Sequence, residues 1–245
     1  MDGRFLLVGL RDGDDVAAAE HRDFLRATGL PATRLEHRRI LTPRDGLPNL
    51  AGYDGIFVGG SPFNVTDMDH PATQKHAHDL LYGVMKSPVP SLMICYGSSY
   101  AAFAGGGRVD RAHAERAGVS RVELTEAARD DPAFRGLPAS FDAPTGHRES
   151  VAELPRRAVL LASGPTCPVQ AYRANRSTWV TQYHPELDGE ALLRRMAHYE
   201  DAGYFGSHEV GEIAARVRDA DLTAAGTVIH RFIDYCLTHP GRRGE

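Results

Sequence analysis

The stretch Ser91-Leu-Met-Ile-Cys-Tyr-Gly-Ser-Ser-Tyr100 decides how the chain is read. An apolar run of buried-strand length stops on Cys95, and small residues then open a helix. A sharp strand-to-helix turn of this kind lifts its side chain above the edge of a sheet. It also leaves the next backbone N–H, that of Tyr96, able to face a developing oxyanion. The helix starting near Gly97 directs partial positive charge at the sulfur, which favours thiolate over thiol. Cys95 is a candidate nucleophile on these grounds.

Working outward from this turn, short apolar strands alternate with amphipathic helices, the pattern of a parallel sheet covered on both faces. The spacing predicts strands over Phe5 to Leu10, Arg34 to Ile40, Gly55 to Val58 and Leu92 to Cys95. Asp14 or Asp15 is expected to cap a first helix that carries Val16, Ala19 and Phe24 on one side and closes at Gly29 and Pro31. Pro71 fits the first turn of a second helix, whose buried face is Ala77, Leu80, Leu81, Val84 and Met85. A small-residue helix should run from about Ser98 to Ala104. From Val109 to Val180 the chain turns to short β-like runs, among them Arg121 to Leu124, Val159 to Ala162 and Val169 to Tyr172, read as partly antiparallel additions to the sheet. The last part is helical from about residue 189: Glu190 to Ala202, a piece after Ser207, and a final helix from Thr223. Ala225, Val228, Ile229, Phe232, Ile233, Cys236 and Leu237 lie on one stripe of that last helix. No repeat or linker divides the chain, so residues 1–245 are expected to form a single domain.

The length fits one large α/β domain as comfortably as two small ones, and the charge balance points to a small-molecule ligand. With 245 residues and 42% hydrophobic content the chain can bury an independent core. Its 28 basic and 32 acidic residues give a formal charge of -4, which points away from nucleic acid or an anionic membrane as partner. The opening Met1-Asp-Gly-Arg4 lacks the pattern of a secretory signal, and no apolar run reaches membrane-span length. Cys95, Cys167 and Cys236 are an odd number without framework spacing, as expected for reduced thiols in a cytoplasm.

A cysteine nucleophile needs a base and a group that orients the base. In Thr181-Gln-Tyr-His-Pro-Glu-Leu187, extended backbone puts His184 and Glu186 on one side and Tyr183 on the other. The carboxylate can then hold the imidazole in the tautomer that presents its other nitrogen to sulfur. Gly59-Gly60, at the end of a predicted strand, brings a backbone N–H close because no Cβ intervenes. Gly60 and Tyr96 are therefore the expected oxyanion donors. His76 and His78 are two apart on a helix and do not share a face, and Cys/His pairing is too sparse for structural zinc, so no metal site is expected.

Five ordered landmarks now stand together: Phe57-Val-Gly-Gly-Ser-Pro62, Pro90-Ser-Leu-Met-Ile-Cys-Tyr-Gly97, Ala104-Gly-Gly-Gly-Arg-Val109, Gly146-His-Arg-Glu-Ser-Val-Ala-Glu-Leu-Pro155 and Gln182-Tyr-His-Pro-Glu186. Through them the chain resembles the class I glutamine amidotransferase family, particularly stand-alone proteins similar to the amidotransferase domain of GMP synthase. The resemblance covers nearly the whole length, more loosely after residue 187. It implies a flavodoxin-like α/β fold, no cofactor, and a Cys95, His184, Glu186 triad that attacks a glutamine side-chain amide and passes through a γ-glutamyl thioester.

One position departs from the family. The motif carries glutamine four residues after the cysteine, where it helps bind the substrate amino acid, and this chain has Ser99. A hydroxyl is shorter and lacks an amide's fixed donor and acceptor. The resemblance places Ser61, Ser99, His147 and Arg148 at the substrate; Arg148 is read either as a bidentate partner for a carboxylate or as a solvated surface arginine. The expected activity is amide C–N cleavage on glutamine or a γ-glutamyl amide, as an amidotransferase or as a γ-glutamyl hydrolase or transferase. Transfer would require a separate synthetase or acceptor-binding subunit. The reading from another class is a non-catalytic regulatory or binding module that keeps the fold, and the intact Cys95, His184 and Glu186 argue against it.

Overall fold

The computed structural model of the protein describes residues 3–198 and 210–239. Its first half follows β1 (Phe5–Gly9), α1 (Asp14–Thr28), β2 (Leu35–Arg39), β3 (Gly55–Val58), α2 (Ala72–Lys86), β4 (Ser91–Ile94) and α3 (Tyr96–Ala104). Then come β5 (Arg108–Asp110), β6 (Glu115–Leu124), β7 (Ser140–His147), β8 (Ser150–Glu153), β9 (Val159–Ser163), β10 (Ala171–Arg173) and β11 (Thr178–Thr181). Helices α4 (Gly189–His198), α5 (Val210–Asp219) and α6 (Thr223–Thr238) complete the described elements.

Nine strands form one sheet in the order β2-β1-β3-β4-β11-β10-β9-β6-β7. The five from β2 to β11 pair in parallel, and the remaining four extend the sheet antiparallel. A separate ribbon joins β5 to β8. Every residue of β1, β3, β4 and β11 is buried, as expected for parallel strands covered on both faces. Alternation then sorts their side chains. Phe5, Leu7, Phe57, Leu92 and Ile94 pack with Phe24 of α1 and Val228 and Phe232 of α6 on one face. Leu6, Val8, Ile56, Val58 and Met93 pack with Ala77, Leu81 and Val84 of α2 and Tyr100 and Ala101 of α3 on the other. A smaller cluster joins Leu192 and Met196 of α4 to Ile213 and Val217 of α5. Among the described residues, no helix is long and apolar enough to cross a membrane.

Local differences from the expected elements have physical causes. Asp14 and Asp15 do not cap α1; the N-cap is Gly13, whose N–H donates to Asp12 at 2.8 Å, and the two aspartates sit in the first turn facing the helix dipole. Pro71 is the N-cap of α2 rather than part of its first turn. Helix α3 begins at Tyr96, not Ser98, because the turn at Cys95 leaves its carbonyl to accept from Ser98 N at 2.9 Å. Strand β6 starts earlier than Arg121, and the β-like run at Val169 begins as a strand only at Ala171. On the α6 stripe Leu237 is partly rather than fully buried. The expected helix over Glu190 to Ala202 is described to His198, and its residues 199–202 lie outside the described residues, as do residues 207–209 of the piece after Ser207.

Candidate active site

Three neighbouring parallel strands, β3, β4 and β11, end at the same edge of the sheet, where α/β proteins place their chemistry. Beyond β4 the backbone of Cys95 adopts φ 55, ψ -96, the one positive φ of a non-glycine residue among those described. Such a conformation costs about 1–3 kcal/mol and persists where the surroundings enforce it. Here Cys95 N donates to Thr181 O of β11 at 2.8 Å, and helix α3 starts at the next residue. Gly97 permits the tight exit, since a Cβ there would lie 2.6 Å from the Met93 Cβ. The cysteine is 9% exposed, and its sulfur stands 4.0 Å from the Gly146 carbonyl of β7. The other two thiols are buried, and burial pushes Cys167 up to about 12 and Cys236 well up too.

His184 follows β11 and is fixed twice. Its backbone N–H donates to Pro144 O at 2.8 Å, and its Nδ1 lies 2.8 Å from Glu186 Oε1. Tyr183, just before it, is buried edge-on to Phe141, in the core cluster that also holds Phe5 and Phe57. Burial works against charge on His184, but the Glu186 carboxylate and the Cys95 sulfur outweigh it and raise its pKa to about 9. For Glu186 burial alone would favour the neutral acid, and the neighbouring His184 and Arg195 reverse this, holding it near 2.

The loop after β3 brings main chain to the same place. A Cβ at Gly60 would lie 2.6 Å from Arg11 Nη2 and 3.1 Å from His184 Cε1, so only a glycine backbone approaches this closely. At Gly59 it would lie 2.7 Å from the Glu20 carboxylate. Glu20 in turn accepts from Arg11 Nε at 2.9 Å, and the buried pair forms the floor under the loop.

Cys95 and Ser61 lie on the boundary of two recesses. The first, about 60 Å³, is walled by His184, Thr145, Leu187, Leu192, Arg195 and Met196. The second, about 10 Å³, contains Tyr96, Ser99, His147, Arg148, Glu149 and Gln182. All four residues expected at a substrate, Ser61, Ser99, His147 and Arg148, therefore line this second recess. They differ in what they present to it. Ser99 Oγ and Gln182 Oε1 are buried without a protein partner, whereas both His147 nitrogens are engaged, by Glu149 O at 2.9 Å and Glu115 Oε2 at 3.0 Å. Glu149 closes the loop opposite by accepting from Val65 N and Thr66 N, each at 3.0 Å.

Residues 24–197 match the family model described as glutamine amidotransferase class-I. The chain belongs to the class I glutamine amidotransferase family. A GMP synthase (glutamine-hydrolyzing) of Flavobacterium psychrophilum is 26% identical over 254 residues, an alignment covering 89% of this chain and 48% of that protein. The chain thus spans about half the length of the curated relatives it matches. Among solved structures, a glutamine amidotransferase from Thermotoga maritima superposes with a TM-score of 0.74 at 19% identity, covering 97% of this chain and 99% of that one. A glutamine amidotransferase from Methylobacillus flagellatus gives a TM-score of 0.69 at 19% identity, covering 95% and 94%. The class I amidotransferase fold expected from the sequence is the one found.

Two buried groups beside the site carry no signal in the sequence. Arg195 of α4 reaches Glu186 at 3.2 Å and Asp23 of α1 at 3.1 Å, so one guanidinium ties the carboxylate beside His184 to helix α1. Removing it would leave Glu186 with His184 and Asp23 with only the half-exposed Arg194, at 3.5 Å. Arg195→Met is expected to cost about 3–5 kcal/mol in urea unfolding. A loss below about 1 kcal/mol would mean that the pair is solvated, as exposed pairs are.

Glu115 is the second. Its carboxylate accepts from Ser120 at 2.6 Å, Thr145 at 2.8 Å, His147 at 3.0 Å and Gln170 at 3.1 Å, and also from Thr166. Thr145 lies in the first recess and His147 in the second, so Glu115 sets both walls. Burial would raise its pKa, yet donation by His147, Ser120 and Thr166 prevails and holds it at about 2. A depressed folded value stabilises the protein above the ordinary 4.5 and is lost as pH falls toward 2. Glu115→Gln should remove roughly 3 kcal/mol of this acid-linked stability. Urea midpoints measured below pH 4.5 should then change less with pH than in the parent. An acid limb of the same slope would contradict this role.

Proposed function

We propose that the chain cleaves the amide C–N bond of glutamine or a γ-glutamyl amide through a thioester on Cys95. The observation that carries the reading is the buried His184, held by Glu186 at 2.8 Å, lining the same cleft as a cysteine in a strained strand-to-helix turn. In the first step the Cys95 thiolate attacks the amide carbon, and the developing oxyanion takes N–H donors from Gly60 and Tyr96. The C–N bond then breaks while the His184 imidazolium gives its proton to the leaving nitrogen. In the second step His184 draws a proton from water, which attacks the thioester and releases the γ-carboxylate. Glu186 fixes the imidazole and stabilises its charged form throughout.

The recess that holds Ser99 and Gln182 takes the amino-acid end of the substrate. Its unpartnered Ser99 hydroxyl and Gln182 carbonyl suit an α-ammonium, and Arg148 suits an α-carboxylate. As it stands the recess has room for about one water, so a glutamyl group enters only as the lining moves apart. Water is the simplest acceptor. Delivery of ammonia to another acceptor would require a synthetase partner, as the relatives' name, GMP synthase, would imply for them.

The test is treatment with a glutamine-like electrophile, followed by mass spectrometry and an assay of amine release from glutamine and γ-glutamyl amides. A Cys95 adduct together with release from either substrate is the expected result. Absence of an adduct, with chloroacetamide also failing to modify Cys95, would leave a non-catalytic module with an amidotransferase fold.

A further inference from the structure

We infer that the first recess is a leaving-group site built for a small alkyl substituent on the amide nitrogen, so that the preferred substrate is an N-alkyl γ-glutamyl amide rather than glutamine. This rests on the proposed Cys95 chemistry and adds to it which side of the sulfur each half of the substrate occupies. The departing nitrogen takes its proton from His184, so it must leave on the side that His184 faces. His184 lines the first recess and not the second. The polar groups that suit an amino acid lie in the second, with Cys95 shared between them.

The walls of the first recess do not match bare ammonia. Ala117, Leu187, Leu192 and Met196 present apolar surface to it. Its cations are matched already, Arg11 by Glu20 at 2.9 Å, Arg195 by Asp23 at 3.1 Å and Glu186 at 3.2 Å, and His184 by Glu186 at 2.8 Å. An anionic leaving group therefore finds no cation without a carboxylate beside it. Ammonia gains nothing from an apolar wall, whereas an alkylamine gains by burying each of its CH₂ groups there. The volume of about 60 Å³ is several times the ~10–15 Å³ that a water needs, which gives room for a substituent of a few carbon atoms. The reaction balances with water alone: the amide and water give the γ-carboxylic acid and the free alkylamine.

The experiment compares kcat/KM for γ-glutamylethylamide and for glutamine in the parent chain, in Leu192→Phe, which fills the recess, and in Met196→Ala, which enlarges it. The parent should prefer the ethylamide by about tenfold or more. Leu192→Phe should cut that ratio about tenfold, and Met196→Ala should shift preference toward the butylamide. Preference for glutamine in the parent, or ratios that the two variants leave unchanged, would overturn the inference while leaving the Cys95 chemistry standing. No turnover of any amide, with no Cys95 adduct, would overturn both.

Discussion

Cys95→Ala is expected to lower amide turnover by roughly 10⁴–10⁶-fold, the range seen when a nucleophile is removed from a unit of cooperating groups. Stability should respond differently to the replacing residue, because the strain belongs to the backbone at φ 55, ψ -96 rather than to the thiol. Alanine keeps a Cβ in that conformation and should unfold close to the parent. Glycine is relieved of the Cβ penalty of about 1–3 kcal/mol and gives back part of this through a more disordered unfolded chain. Cys95→Gly should therefore be inactive and more stable in urea than Cys95→Ala. A Cys95→Gly variant less stable than Cys95→Ala would show that the turn is unstrained.

Glu186→Gln should reduce turnover by about 10³–10⁴-fold, since the amide no longer stabilises the imidazolium or enforces its tautomer. The pH profile separates this role from simple damage. In the parent, burial opposes the charged imidazole and Glu186 with Cys95 overrides it, raising His184 to about 9. Without the carboxylate the burial penalty is less opposed, so the alkaline limb of kcat/KM should move to lower pH. Stability carries the same signature. The raised His184 contributes below its ordinary 6.5, a contribution lost as pH climbs through about 9, and the depressed Glu186 contributes above 4.5, lost as pH falls toward 2. The parent should be most stable between those ordinary values, and the variant should show a flatter curve. An alkaline limb that stays in place would contradict the pairing, whatever the loss of rate.

What the sequence revealed and what it hid follow from the range of each signal. Strands β1, β3 and β4 are short apolar runs bounded by turns, and a fully buried parallel strand needs nothing else to be legible. His184 and Glu186 are two residues apart in extended chain, so their shared side could be read directly, and their bond is 2.8 Å. Strand β7 contains Pro144 and Gly146, residue types that interrupt a strand pattern. On an edge strand the missing N–H of Pro144 costs no ladder bond, and β7 is the edge. Arg195 and Glu115 were hidden for another reason: their partners are distant in sequence, Asp23 at a separation of 172 and Gln170 at 55. A buried ion pair between remote segments leaves no periodicity and no motif. Sequence reading therefore found the groups proposed to react, and the structure added those that hold them.

Acid quenching of a reaction with γ-glutamyl amide, followed by peptide mapping, tests the central claim most directly. A γ-glutamyl group should appear on the peptide containing Cys95, disappear on incubation with water at neutral pH, and be absent from the peptides of Cys167 and Cys236. Turnover that proceeds with no acyl group on Cys95, or with the label on another residue, would contradict the account.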